Sequence, residues 1–143
     1  MADLQRVSPA EAHKLLSDGY TYVDVRSVPE FEEGHPAGAF NVPLMHMGGG
    51  GMTPNARFLE VMKASFSADA KLVVGCKAGG RSLKAAQALI CAGFTGIVDQ
   101  RAGWEGARDA FGRVTEPGWS PAGLPTEKGA PEGRAYAALE KKM

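Results

Sequence analysis

Lys71-Leu72-Val73-Val74-Gly75-Cys76-Lys77-Ala78-Gly79-Gly80-Arg81-Ser82 is the stretch on which the fold turns. Residues 71–75 form a short apolar, β-branched run and read as a buried strand. A glycine-rich turn follows. Ser82 to Ala92, rich in Ala and Leu and closed by Gly93, reads as a helix. Strand, tight turn and helix in that order make half of a parallel α/β unit, and in such sheets ligands bind beyond the carboxyl ends of the strands.

The pattern repeats on both sides. Ser8, Pro9 and Glu11 supply a cap, a first-turn proline and a capping box for a helix that carries Leu15 and Leu16 inward and ends at Gly19. Tyr20 to Val25 reads as a strand, Pro29 to Glu33 as one helical turn, and Ala39 to Val42 as a brief strand stopped by Pro43. Gly48 to Gly51 reads as a flexible loop, and Asn55 as the cap of a helix bearing Phe58, Leu59, Met62 and Phe66. Gly96 to Asp99 holds another short strand. Alternating strands and helices predict an α/β fold, an open, mainly parallel sheet flanked by helices on both faces. The character changes after Gly112, where four of the nine prolines occur. We therefore expect one domain over residues 1–112 and a Pro/Gly-rich extension over 113–143 packing on its surface, with a short terminal helix from Arg134 to Lys142.

The 143 residues suit a single domain able to bury a core without disulfides. Sixteen basic and sixteen acidic side chains cancel, which argues against a broad nucleic-acid or membrane surface. No apolar run approaches a membrane span, and the N-terminus carries neither a signal-peptide core nor a transit pattern. Two cysteines, Cys76 and Cys91, make a poor disulfide framework and point to a reducing compartment. A cytoplasmic placement is the expectation, or an organellar one if a transit segment was removed.

The turn after the strand has a specific chemistry. Its backbone N–H groups can form an anion-binding nest, the following helix adds about half a positive charge at its N-terminus, and Lys77 and Arg81 add full charges. A cysteine in such a field has a reason to ionise, and the thiolate is the nucleophile. The alternative for Cys76 is a buried core thiol, and Cys91, well inside the helix, reads as a packing residue. Three chemistries compete for the loop: sulfur transfer through a persulfide, phosphoryl transfer, and nucleotide binding. Gly75 to Ser82 approximates a phosphate-binding loop, yet Arg81 stands where its lysine belongs and ATP binding leaves the cysteine unexplained.

Two stretches together resemble the rhodanese superfamily. Tyr22-Val23-Asp24-Val25-Arg26, Glu30-Phe31, Gly34-His35, Gly38-Ala39 and Asn41-Val42-Pro43 match one family signature, and the Cys76 to Ser82 loop matches the other. Ala92-Gly93-Phe94 through Gly103-Trp104 is a weaker third match. The resemblance spans residues 5 to 112 and is nearest to the single-domain sulfurtransferases of plants and bacteria. It implies a rhodanese-like fold, no cofactor and no metal. It implies a sulfane donor such as thiosulfate and a thiol or cyanide acceptor, thioredoxin and glutathione among the candidates. Cys76 then takes the catalytic position, and Lys77, Ala78, Gly79, Gly80, Arg81 and Ser82 form the substrate-binding loop. Related phosphatases resemble this pattern with a loop one residue longer; here Arg81 falls five positions after Cys76. A noncatalytic rhodanese-like binding module is the alternative, and a phosphatase or arsenate reductase a lesser one.

Two departures stand out: Pro36 where the family carries an aliphatic residue, and Ala102-Gly103 in place of a Gly-Gly pair, preceded by Arg101 at the expected pocket rim or facing solvent. Asp24, Arg26 and Glu30 read as a local ion-pair cluster, the alternative being that Asp24 or Arg26 supports the loop. His35 reads as a hydrogen-bonded structural residue rather than a base. Three scattered histidines make no metal site. Met45, Met47 and Met52 read either as a pocket border or as packing for the long loop.

Overall fold

Side chains alternate between two cores along each central strand, which places the sheet in the middle of the molecule. Val23, Leu72, Val74 and Ile97 join one cluster, while Tyr22, Val73 and Val98 join the other. This is the period-two pattern of a sheet covered on both faces. The computed structural model describes residues 4–48 and 51–141.

In chain order the elements are β1 (Gln5–Val7), α1 (Pro9–Ser17), β2 (Thr21–Asp24), α2 (Val28–Glu33), β3 (His35–Pro36) and β4 (Phe40–Asn41). Then come β5 (Met45–Gly48), β6 (Gly51–Pro54), α3 (Phe58–Ser65), β7 (Lys71–Gly75), α4 (Gly80–Cys91) and β8 (Gly96–Gln100). The chain closes with β9 (Gly106–Arg108), β10 (Val114–Pro117), β11 (Thr126–Glu127) and α5 (Tyr136–Glu140). The main sheet has five strands in the order β1-β8-β7-β2-β4. All four of its pairings are parallel. Asp24 is in register with Gly75 on one side and Asn41 on the other, so the strands end along one edge, where the Cys76 loop begins.

One face is covered by α3, α4 and α5 through Phe58, Val61, Met62, Ala85, Leu89 and Leu139. The other is covered by Ala12 of α1, Phe31 of α2 and Trp119. The α/β class with helices on both faces is therefore observed. Residues beyond 112 contribute Trp119, Tyr136 and Leu139 to these cores, and β11 pairs with β3. Burying a side chain such as Trp119 or Leu139 contributes about 1.5–3 kcal/mol.

Several local expectations hold for the stated reasons. The Ser8–Glu11 capping box forms, with Glu11 N–H donating to Ser8 Oγ at 3.1 Å and Ser8 N–H to Glu11 Oε1 at 3.0 Å. Others are corrected. The α3 cap falls at Arg57, because Asn55 spends its side chain on the preceding turn: it donates to the carbonyl of Pro43 and to the Tyr136 hydroxyl, and accepts from Arg57 N–H. α4 starts at Gly80, two residues before the expected Ser82, so Arg81 and Ser82 lie in its first turn. The expected glycine loop is instead flanked by an antiparallel hairpin of β5 and β6; residues 49 and 50 lie outside the described residues, as does the Met47 side chain. Cys91 is exposed rather than packed, because it sits on the outer face of the last turn of α4.

Candidate active site

Cys76 follows β7 directly, and its side chain turns back under the start of α4. Its Sγ accepts the Gly79 N–H at 3.1 Å and lies 3.6 Å from Ser82 Oγ. Ser82 in turn donates to the Gly79 carbonyl at 3.3 Å. The thiol is only 2% exposed, with Val74, Ala85 and Ala86 in the same cluster, yet it faces a main-chain donor and a hydroxyl rather than apolar neighbours alone. The N–H groups of Gly80, Arg81 and Ser82, in the first turn of α4, have no intrahelical carbonyl to bond and remain donors for an anion.

This turn needs glycine at two places. Gly79, the α4 cap, has φ +100°, and a Cβ there would stand 2.2 Å from the Arg101 carbonyl oxygen. Gly75 packs against Tyr22, whose hydroxyl would lie 1.8 Å from an added Cβ. The segment after β8 holds the loop from the other side: Trp104 N–H donates to the Cys76 carbonyl at 2.7 Å and Glu105 N–H to that of Lys77 at 2.9 Å. Gln100 fixes that segment, accepting from Ala102 and Gly103 N–H at 2.8 Å each and donating to the Gly103 carbonyl at 2.9 Å and the Tyr22 hydroxyl at 3.3 Å. Burial pushes the Tyr22 hydroxyl far up, so it stays neutral.

Charges around the loop are mostly committed. Arg81 forms a bidentate pair with Glu30 at 2.7 and 3.0 Å. Burial alone would raise the Glu30 carboxyl, but the hydrogen bonds from Arg81 and Ser27 outweigh it and hold the group at about 2. The same pair raises Arg81. Arg26 is bound to Asp24 at 2.7 Å and stacks over the Trp104 ring at 5.0 Å; Asp24 raises it against the effect of burial. The expected cluster of Asp24, Arg26 and Glu30 is thus divided: Asp24 takes Arg26, and Glu30 reaches across to the loop. Arg81 is correspondingly not a free charge for an incoming anion, since its guanidinium already matches a carboxylate. Lys77, half exposed, lies 3.7 Å from Glu105.

The remaining expected residues fall into place around this frame. Ala78 and Gly80 are exposed on the loop. His35 is structural: its Nδ1 bonds the Phe31 carbonyl at 2.6 Å, its Nε2 meets Glu127 at 3.0 Å, and its ring stacks on Phe31. Arg101 pairs with Glu116 at 2.9 Å on the rim of a cleft beside the loop. Neither Met45 nor Met52 lines that cleft or the one lined by Lys77. Among the described residues, no group of three or more His, Cys, Asp or Glu is placed to hold a metal ion. Sequence reasoning passed over Arg6, Asp99 and Gln100. Asp99 is buried, burial raises its carboxyl, and Arg6 donates to it at 2.6 Å. Their only signal is the odd presence of Asp99-Gln100 after an apolar strand.

A cysteine opening a tight loop at the carboxyl end of a central parallel strand, under a helix N-terminus, defines the class: an α/β domain with a thiol set beneath main-chain donors. Residues 8–110 match the rhodanese-like domain family, and the chain belongs to it. It is 42% identical over 121 residues to thiosulfate sulfurtransferase 16, chloroplastic, of Arabidopsis thaliana, covering 85% of this chain and 91% of that protein. It is 42% identical over 93 residues to senescence-associated protein DIN1 of Raphanus sativus, covering 65% of this chain and 51% of that one, so it spans about half the radish protein. The crystal structure of Rv0390 from M. tuberculosis superposes with a TM-score of 0.74 at 28% identity, over 90% of this chain and 100% of that one. A cytoplasmic placement gains no support, the Arabidopsis relative being chloroplastic by name. Among the described residues no helix is long and apolar enough to cross a membrane.

Proposed function

We propose that this chain is a thiosulfate sulfurtransferase working through a persulfide on Cys76. The observation that carries the reading is the Gly79 N–H on Cys76 Sγ at 3.1 Å, beneath the free first-turn donors of α4. The Cys76 thiolate attacks the outer sulfur of thiosulfate. The bond between that sulfur and the sulfite group breaks, sulfite leaves with the electron pair, and the outer sulfur stays on Cys76 as a persulfide anion. Cyanide or a thiolate then takes that sulfur, and the Cys76–sulfur electron pair returns to Sγ. Gly79 and the α4 donors stabilise the anion at both stages, and Ser82 supplies a rotatable hydroxyl 3.6 Å from the sulfur. Lys77, half exposed at the rim, attracts an anionic donor.

Arg81 serves as a strut rather than an anion ligand in this scheme, which counts against phosphoester or arsenate chemistry on the same loop. Incubation with thiosulfate is expected to add one sulfur atom to Cys76 by intact-protein mass spectrometry, and thiocyanate formation should follow ping-pong kinetics. Cys76→Ser is expected to lose the adduct and at least about a thousandfold of the rate, as for other deleted covalent nucleophiles. A Cys76→Ser protein as active as its parent refutes the assignment. A parent that forms neither adduct nor thiocyanate favours a noncatalytic binding module.

A further inference from the structure

β7 lies between β8 and β2 in the sheet, so the Cys76 loop has two flanks, one built by residues that follow β2 and one by residues near the ends of β1 and β8. Each flank carries a cleft. The β2-side cleft, about 250 Å³, holds Arg26 and Lys77 against Glu30, Glu33 and Glu105. The β8-side cleft is about 560 Å³ and has the opposite balance, with Arg6, Arg101 and Arg108 against Glu116. Loop residues 78–80 form its inner wall, and Leu83 and Ala107 give it apolar surface.

The three arginines are not equivalent. Arg6 is held by Asp99 at 2.6 Å, and Arg101 by Glu116 at 2.9 Å. Arg108 donates only to the Gly112 carbonyl at 2.8 Å, and no carboxylate among the described residues lies within ion-pair distance of it. The β9–β10 hairpin brings it there: β9 ends at Arg108, and β10 returns antiparallel against it with Thr115 and Glu116. Arg6, Thr115 and Glu116 lie outside residues 8–110, the span that matches the family, while Arg101, Ala107 and Arg108 lie inside it.

We propose that the β8-side cleft binds the organic part of a carboxylate-bearing low-molecular-weight thiol, the sulfur acceptor, with Arg108 as its anion anchor. The inference rests on the persulfide reading above and adds where on the chain, and by which residue, the thiol acceptor is held. The cleft exceeds the size of thiosulfate, its apolar wall suits a carbon chain, and its open cation suits a carboxylate. Gly79, whose N–H meets Cys76 Sγ, also lines the cleft, so the cleft adjoins the cradle. In the transfer step the persulfide anion first takes a proton from solvent, and the acceptor thiolate then bonds to its outer sulfur. The bond from that sulfur to Cys76 Sγ breaks, its electron pair stays on Sγ, and the acceptor leaves as its own persulfide with the proton.

The test uses glutathione, which carries two carboxylates, and its diethyl ester, which carries none. With thiosulfate as donor, Arg108→Ala is expected to lower the ratio of kcat/KM for glutathione to that for the ester about tenfold, the cost of one charge-assisted hydrogen bond. Arg108→Lys should recover most of that ratio. A ratio that stays within about twofold of the parent overturns the proposal. A second arm needs no turnover: in the Cys76→Ser background, calorimetric titration with S-methylglutathione should show binding that Arg108→Ala weakens about tenfold. Equal binding with and without Arg108, or none, overturns the cleft assignment. Absence of thiocyanate formation by the parent overturns the persulfide reading instead, and the titration still decides the cleft.

Discussion

Arg81 and Arg108 are both guanidinium groups close to the Cys76 loop, and the fold holds them in opposite ways. Arg81 is largely shielded, its side chain 17% exposed, and locked by two hydrogen bonds to Glu30, a residue from the other signature stretch of the family. Arg108 sits exposed on a hairpin with no carboxylate among the described residues to neutralise it. The first joins two segments 51 residues apart, α2 and the start of α4. The second leaves a charge available to a ligand. A cation's sequence position near Cys76 therefore does not tell whether its charge is already paired.

The sharpest way to break this comparison, after loss of Cys76 itself, is to disturb the cradle geometry. Gly79→Ala places a methyl group 2.2 Å from the Arg101 carbonyl and forces the Gly79 N–H off the sulfur. Thiocyanate formation should fall by about a hundredfold or more, the scale of losing a preorganised oxyanion-type donor; a rate within about threefold of the parent would show that this donor is dispensable.

Next in size is the strut. Glu30→Gln leaves Arg81 partly buried without its counter-charge and should cost about 2 kcal/mol in urea denaturation, below the 3–5 kcal/mol of a fully buried pair. Arg81→Ala should reduce use of thiosulfate and of a neutral alkyl persulfide alike, because it acts on loop shape; a loss confined to thiosulfate would make Arg81 an anion ligand after all.

The strut also has a pH signature. Glu30 ionises at about 2 in the folded protein against 4.5 as its ordinary value. The unfolded chain therefore binds more protons in that window, and acid favours unfolding. The stabilisation, at most about 3 kcal/mol, is complete above pH about 4.5 and is lost as pH falls toward 2. Glu127 behaves in the same direction: hydrogen bonding from Arg134 leads in holding it at about 2. Thermal unfolding followed across this window should flatten in Glu30→Gln; an unchanged slope would remove Glu30 from the acid response.

The smallest effect tests a correction. Cys91 is exposed at the end of α4, so Cys91→Ser should shift stability by less than about 0.5 kcal/mol, the scale of a surface substitution, and leave turnover as it was. A larger loss would show a contact that its exposure does not reveal.

Much of the frame was legible before any coordinates. The Ser8 capping box, the β-branched run of residues 71–75 and the Gly79-Gly80 turn are local signals, each decided by neighbours within a few residues. β1, β3, β5, β6, β9, β10 and β11 were not legible, since such short strands carry too few alternations to show a period and, unlike β2 and β4, lack a β-branched or aromatic run with a clear stop. The fate of Cys91 was missed for a related reason: within an Ala-rich helix, several faces look equally apolar.

Chain chemistry alone determined that a thiol would open a glycine turn between a buried strand and a helix, because backbone conformation and helix ends are set by nearby residues. Tertiary structure decided which charges stay free, since Glu30 meets Arg81, Asp99 meets Arg6 and Glu116 meets Arg101 only once distant segments pack. Ion pairing falls off with distance in space, and the sequence records distance only along the chain.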